Sequence, residues 1–283
     1  MKAIDVHAHL ATKEWYESTK KYQDALERNY GYKFQVKTPA EMAQDFRDAD
    51  VKGLIIAWDA EAGTGHPKIP NDVVARMAEE HSDVFLGAWA CVDPWKQKSA
   101  VDEVERAVKG LGMIGVKFQQ AAQEFFPNDR MVYPIYEKCV ELGCPVQFHT
   151  GTTGLGGGMP GGMGIRLKYT KPIPYIDDVA ADFPDLKIIA CHPSWPWQEE
   201  MIAIVVHKTN VFMELSGWSP KYFSDSLKRE VKGRLQDRVM FGSDYPLLSH
   251  KRLLQDWESE GYKPEILEKV FYKNAQRILG LTV

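Results

Sequence analysis

Two histidines one residue apart, His7 and His9, stand at the end of an apolar run near the start of the chain. On a strand, residues two apart share a face, so both imidazoles can aim at one point, as a pair of metal ligands must. An H-x-H taken alone has an equally good ordinary explanation, because neutral imidazole suits packed cores and surfaces alike. Its weight grows with what recurs downstream: His149 in Gln147-Phe148-His149-Thr150-Gly151, His192 before Pro193, and Asp244 in Phe241-Gly242-Ser243-Asp244-Tyr245-Pro246. Each again follows a short apolar run. Imidazoles and carboxylates are donors that divalent cations take, and such an ion activates water and polarises carbonyl oxygens.

Those runs belong to a regular alternation. Apolar stretches of strand character fall at 3–6, 53–58, 85–91, 114–118, 145–148, 187–191, 211–215 and 238–241. Segments of helical period cover 39–50, 71–81, 99–111, 131–142, 175–183, 197–207, 220–235 and 250–260. Gly112, Gly143 and Gly261 stand just past helix ends, and Pro196 takes a first-turn place. Several strand runs are apolar on both faces, as in parallel strands covered by helices. Eight strand–helix units predict a (β/α)8 TIM barrel, one domain over 1–283, with an open doubly wound sheet as the rival. In such barrels chemistry sits at the C-terminal strand ends. Strand one ends at His7 and His9, strand two at Trp58-Asp59, and strand four carries Lys117. Strands five, six and eight end at His149, His192 and Asp244, and strand seven at Glu214-Leu215-Ser216-Gly217-Trp218. Four of the eight histidines and an aspartate thus gather at one edge. Random scatter would not produce that, and a metal site is the reading.

Composition narrows the partners. Residues are 44% hydrophobic and 26% charged, with a formal net charge of −4 and both signs interleaved. This is a soluble globular profile with no basic footprint for nucleic acid and no polybasic patch for a membrane. No apolar run nears the ~18 residues of a membrane span, and no signal-peptide pattern precedes His7. A cytoplasmic protein acting on a small molecule is expected, with homo-oligomerisation left open. The four cysteines, Cys91, Cys139, Cys144 and Cys191, fit no C-x-x-C spacing and read as buried, reduced thiols.

Taken together, Ile4-Asp5-Val6-His7-Ala8-His9, Phe148-His149-Thr150-Gly151, His192-Pro193 and the Phe241 to Pro246 motif make the whole chain resemble the amidohydrolase superfamily. The resemblance is to the metal-dependent branch that includes aminocarboxymuconate-semialdehyde decarboxylase, aromatic-acid decarboxylases and lactone hydrolases. It implies one divalent metal held by His7, His9, His149 and Asp244, with His192 off the metal, handling protons and the substrate carbonyl. Three imidazoles and one carboxylate suit Zn2+, with Mn2+ and Fe2+ as alternatives, and leave a position for water or substrate. Metal-bound water has its pKa lowered to about 7. Asp244 then takes its proton and passes it to the leaving group, while His192 polarises the carbonyl or serves as general acid. Binuclear members carry a carboxylated lysine on strand four, where Lys117 stands; the chain resembles the mononuclear branch, in which that residue supports the site or touches substrate. Related chains often continue with His-Pro where this one has Gln119-Gln120.

Two connections are long, 11–38 after strand one and 150–174 after strand five, and loops of that length in a compact domain are usually functional. Residues 151–164 hold eight glycines, including a formal G-x-G-x-x-G at Gly156, Gly158 and Gly161. This stretch does not join strand directly to helix and contains Pro160, so it reads as a lid or backbone-lined wall, not a dinucleotide fingerprint. Arg166 and Lys168 behind it are candidate anchors for an anionic substrate group. Trp195, Trp197 and Trp218, with Trp58, would ring the mouth and suit a planar substrate. Neither G-x-S-x-G nor H-E-x-x-H occurs. The expected function is a metal-dependent hydrolase that attacks a carbonyl carbon of an organic acid or aryl compound of aromatic catabolism with metal-bound hydroxide. The resemblance extends to proteins proposed to cleave aryl β-ketoacyl thioesters. The alternative is a non-oxidative, metal-dependent decarboxylase of an aromatic or muconate-type acid, with Arg47 or Arg166 receiving the departing carboxylate. A non-catalytic binding protein on this scaffold would leave the ligand set and His192 without a purpose.

Overall fold

A computed structural model describes residues 1–31 and 33–283. Its eight parallel strands are β1 (Ala3–Ala8), β2 (Val51–Ile56), β3 (Phe85–Ala90), β4 (Gly115–Phe118), β5 (Val146–His149), β6 (Ile188–Cys191), β7 (Val211–Glu214) and β8 (Val239–Met240). They pair in sequence order with helices between them, which excludes the doubly wound sheet. All eight expected strands are present, with ends displaced by no more than two residues. Six of them are buried along their whole length, which is why their sequences run apolar without alternation.

Closure between β8 and β1 matters most for function. Val6 N donates to Phe241 O (3.1 Å), Asp244 N to His7 O (2.9 Å) and His9 N to Tyr245 O (2.8 Å), with a parallel bridge at Ala8 and Tyr245. Ile4, Val6, Leu54, Ile56, Trp89, Ile189, Phe212 and Met240 form one apolar cluster, joined by Ala275 and Ile278 of the C-terminal helix Asn274–Leu279. A second, larger apolar layer packs helices onto strands. Gly53 belongs there because a Cβ at that position would lie 2.4 Å from the Phe46 ring.

The connections differ from expectation in four places. The first long loop contains helices Lys13–Thr19 and Gln23–Tyr30. The segment 220–235 divides into a 3-10 turn, Pro220–Tyr222, and a helix, Asp225–Lys232, begun where Ser224 Oγ accepts from Leu227 N. Pro196 lies outside the helix Gln198–His207. Two C-terminal helices, Pro264–Glu268 and Asn274–Leu279, were not anticipated. Among the described residues no helix is long and apolar enough to cross a membrane.

Candidate metal centre

His7 Nε2, His9 Nε2 and Asp244 Oδ1 form a triangle with edges of 3.3, 3.3 and 3.4 Å. Ligand atoms about 2.1 Å from a tetrahedral ion stand about 3.4 Å apart, so the triangle matches one face of such a polyhedron. The β1–β2 register shifts between Asp5 and Ala8, an irregularity of the kind that re-aims side chains beside active sites. Asp244 and His192 have φ values of 62° and 71°. That region costs a non-glycine residue about 1–3 kcal/mol and persists only where the surroundings enforce it. Here Asp244 is held by its bond to His7 O and by Leu247 N donating to its own carbonyl (2.9 Å). Asp5 ties the β1 and β8-loop segments of the triangle together: its carboxylate accepts from His7 N (3.0 Å), Ser243 N (2.9 Å), Ser243 Oγ and His250 Nε2 (2.8 Å).

Glu214, at the end of β7, orients His7. Its Oε1 accepts from His7 Nδ1 (2.7 Å) and Ser216 Oγ (3.0 Å), and its Oε2 from Ser216 N (2.8 Å). With the proton on Nδ1, His7 Nε2 is the atom turned to the triangle. Gly242 makes room for this arrangement, since a Cβ there would lie 2.4 Å from Glu214 Oε2 and 3.2 Å from His7 Cβ.

His149 and His192 supply a second test of fit. His149 Nε2 faces Thr152 O at 3.0 Å and His192 Nδ1 faces Ser216 O at 3.1 Å; a carbonyl only accepts, so these nitrogens carry the hydrogens. Burial drives His149 well below the ordinary histidine range and His192 down to about 4, so both rings are neutral at pH 7. His149 Nδ1 and His192 Nε2 therefore face each other as lone pairs, 3.0 Å apart, with Gln119 Nε2 3.1 Å from the former. Gln119 Nε2 donates to His149 Nδ1, and His192 Nε2 is left as the bare acceptor.

Charge leads to the same place. Burial pushes His9 down to about 4. Burial pushes Glu214 up, but His7, His192 and Lys117 outweigh it and hold the carboxyl at about 2. Against burial, hydrogen bonds from His7 and His9 keep Asp244 well below the carboxylate range. Burial and Lys117 press His7 downwards, yet Glu214, Cys191 and Asp244 prevail and hold it well above the ordinary value. Two buried carboxylates thus call for positive charge between them, and the donor set suits a divalent cation.

A family model for amidohydrolases matches residues 4–281. The chain belongs to the amidohydrolase family. An uncharacterized TIM-barrel protein from Bordetella bronchiseptica has the same fold, with a TM-score of 0.83 and 22% identity over 99% of each chain. A 5-carboxyvanillate decarboxylase from Novosphingobium aromaticivorans, solved with bound manganese, gives 0.69 and 17% over 99% of this chain and 97% of that one. A dihydroxybenzoic acid decarboxylase from Polaromonas sp. JS666, solved with manganese and the inhibitor 2-nitroresorcinol, gives 0.68 and 15% over 98% and 96%. At such identities the structural likeness establishes the fold, and the family match makes this protein an enzyme of the amidohydrolase superfamily.

The amidohydrolase carries a cavity of about 660 Å³ whose wall includes His9, His149, His192 and Asp244. Trp15, Trp58, Trp195, Trp218, Tyr30 and Tyr222 supply its aromatic surface, and Thr152 to Leu155 with Gly157 and Gly158 its backbone-rich side, as the glycine run implied. Trp195 and Trp218 stand 6.3 Å apart between ring centroids. Trp197 is not in the wall. Lys117 is, buried, with Nζ donating to Cys191 Sγ at 2.8 Å. Arg166 departs from expectation: it is exposed, faces Glu124 at 3.4 Å and lies outside the cavity. It precedes the turn Leu167–Thr170, where Thr170 Oγ1 donates to Gly151 O (2.6 Å). Lys168 is likewise engaged elsewhere, over the rings of Phe126 and Tyr169. Arg47 is exposed and forked onto Asp83 (2.7 and 2.9 Å), not a cavity residue.

Sequence reasoning gave no role to Asp5, Glu214, Gln120 or Arg252. Gln120 grips the His149 peptide, with Nε2 donating to its O and Oε1 accepting from its N, both at 3.1 Å. Asp5 and Glu214 did carry a signal: a charged side chain inside a fully buried strand is rare unless paired. Arg252 lines the cavity from the helix His250–Ser259, and nothing in its sequence neighbourhood marked it.

Proposed function

We propose that this amidohydrolase is a non-oxidative, metal-dependent decarboxylase of an aromatic carboxylic acid, with one divalent ion, Mn2+ or Zn2+, held by His7, His9, His149 and Asp244. The observation that carries the reading is the triangle of His7 Nε2, His9 Nε2 and Asp244 Oδ1, from β1 and the β8 loop, beside an aromatic-walled cavity that His149 also lines. The manganese-containing decarboxylases of like fold favour loss of CO2 over carbonyl hydrolysis. A flat aryl acid suits the tryptophan walls.

The metal, when bound, supplies Lewis-acid binding of the substrate's carboxylate and a neighbouring oxygen. The remaining work falls to the chain. The bond between ring carbon and carboxylate breaks, CO2 departs, and the electron pair left on the ring carbon takes up one proton. Asp244 serves two ends: Oδ1 faces His7 and His9, whereas Oδ2 and His192 Nδ1 flank Gly217, each 3.1 Å from where its Cβ would be. Oδ2, ionised at rest, would first take a proton from water, and that proton is the one delivered to the ring carbon. His192, neutral and bare at Nε2, accepts a proton from substrate or water, while Ser216 O fixes its ring through Nδ1. The indole walls hold the ring plane and keep bulk water from the carbanionic carbon.

Attack on a carbonyl would use the same residues, so products separate the two reactions. Metal-loaded protein given a panel of hydroxybenzoates is expected to release CO2, to stop on chelation and to recover with Mn2+. Absence of CO2 across that panel, with hydrolysis of aryl lactones or thioesters in its place, would refute decarboxylation.

A further inference from the structure

Lys117 is the one buried lysine among the described residues, 2% exposed. A lysine is almost never buried unless a partner takes its charge, and a carboxylate is the usual one. Lys96 meets Asp59 and Glu61, Lys208 meets Asp177, and Lys228 meets Glu260. Lys117 has no carboxylate within ion-pair distance among the described residues. Its Nζ donates to Cys191 Sγ alone, at 2.8 Å. The barrel dictates this meeting. β4 and β6 are alternate strands, whose inward side chains share a layer of the interior, so Lys117 reaches past β5 to the last residue of β6. Lys117 also lines the cavity, so a molecule little larger than water that enters it comes against the pair. No other thiol among the described residues has a lysine bonded to it. Cys91 Sγ lies 3.7 Å from Asp59 O and 3.8 Å from Gln123 Nε2, and Cys139 and Cys144 flank the end of the helix Tyr133–Leu142.

A cysteine oxidised to sulfenic acid condenses with a nitrogen in reach to form a sulfenamide. We propose that Lys117 and Cys191 form a redox-modification site, closed by hydroperoxide into a reversible Nζ–Sγ link between β4 and β6. The atoms balance with one hydrogen peroxide. Sγ bonds one peroxide oxygen as the O–O bond breaks, giving sulfenic acid, and the other oxygen leaves as water with the thiol hydrogen. Nζ, as the free amine, then attacks Sγ. The N–S bond forms, the S–O bond breaks, and the hydroxyl leaves as water with one amine hydrogen. Sulfur is oxidised by two electrons and the peroxide is reduced by two. A dithiol restores amine and thiol and is itself oxidised to a disulfide. The link replaces a basic amine in the cavity wall by a weakly basic nitrogen and fixes the residue before His192, so the site is altered only while oxidised. None of this depends on which reaction the enzyme catalyses.

The test treats the full-length protein with equimolar hydrogen peroxide, blocks the remaining thiols with N-ethylmaleimide after unfolding, and reads the thiol count and the tryptic peptides. Wild type is expected to lose one of its four thiols and to resist trypsin after Lys117. Residues 117 and 191 should appear in one cross-linked peptide, about 2 Da below the sum of its two parts. Dithiothreitol should restore both the thiol and the cleavage. Cys191 should react about tenfold or more faster than Cys91, Cys139 or Cys144. Lys117→Arg should stop at the sulfenic acid, read as a dimedone adduct on Cys191. Cys191→Ser should abolish both products, and Cys144→Ser should change neither. Loss of two thiols with trypsin still cutting after Lys117 marks a disulfide and overturns the assignment. So does a gain of about 16 Da at Cys191 with no link to Lys117, or a Cys191 left unreacted while other thiols oxidise. The wild-type peptide map decides by itself, so a variant that fails to fold leaves the result standing.

Discussion

Replacing Glu214 by Gln removes one charge from the buried network and changes almost no volume. The carboxylate accepts three hydrogen bonds with two oxygens, from His7 Nδ1, Ser216 Oγ and Ser216 N. An amide has one acceptor oxygen. If its NH2 meets Ser216 N, two donors oppose each other in a fully buried place. If it meets His7, the imidazole must move its hydrogen to Nε2, which then points at Asp244 where a cation should sit. Either way a charge-assisted bond is lost, worth about 1.5–3 kcal/mol, and at 1.4 kcal/mol per factor of ten this is about ten- to a hundredfold in metal affinity. Competition between the protein and a chromophoric chelator for Mn2+ reads the change directly, and circular dichroism verifies that the variant is folded. A folded Glu214→Gln protein that binds Mn2+ within about twofold of wild type would show that Glu214 does not set the state of His7, and the construction of the centre around β7 would be wrong.

His192→Ala should retain the metal, because His7, His9, His149 and Asp244 remain, while kcat on whichever aryl acid proves active falls by about 10²–10⁴; a wild-type rate would take the proton-handling role away from His192. For pH, His9 and His192 are held near 4 and His149 also below the ordinary 6.5. Between 6.5 and 4 the unfolded chain binds protons that the folded one refuses, so metal-free protein should lose stability on acidification through that window. Glu214, held at about 2 against an ordinary 4.5, adds a further loss below pH 4.5. His7 acts on the other side: its raised value gives a stabilisation that is full below 6.5 and fades as pH rises through it. Urea midpoints measured from pH 8 to pH 4 should therefore peak near neutrality, and a flat profile would contradict the burial of these imidazoles.

The strands and the candidate ligand histidines were legible for one reason. A strand covered on both faces leaves a run of apolar letters, and polar groups placed at the C-terminal ends of such runs stand out against it. His7, His9, His149, His192 and Asp244 could be found that way without knowing which strand lies beside which. Arg166 and Arg47 could not be judged so, because a basic residue on a loop or helix has no fixed direction until its acid partners are known, here Glu124 and Asp83. Arg252 is the converse: an ordinary surface-helix residue by sequence, brought to the cavity by the return of the chain after β8.

Adjacency between the first and last strands is the part that sequence patterns do not encode, and it is where fold and site become the same bonds. β8 spans only two residues, too short to close the barrel by a regular ladder. Closure is left to the chain after it, through Asp244 N on His7 O, Tyr245 O on His9 N, and the Asp5 carboxylate shared by His7, Ser243 and His250. All of these contacts except the Asp5–His250 bond involve a residue at or beside a proposed ligand. A cation bound by His7, His9 and Asp244 would then staple the barrel at its seam, so affinity for the ion and resistance to opening between β1 and β8 are two readings of one free energy. The same coupling explains why the chain keeps charged Asp5 inside a strand otherwise fit for pure core: the seam needs an acceptor for two backbone N–H groups that no neighbouring strand provides.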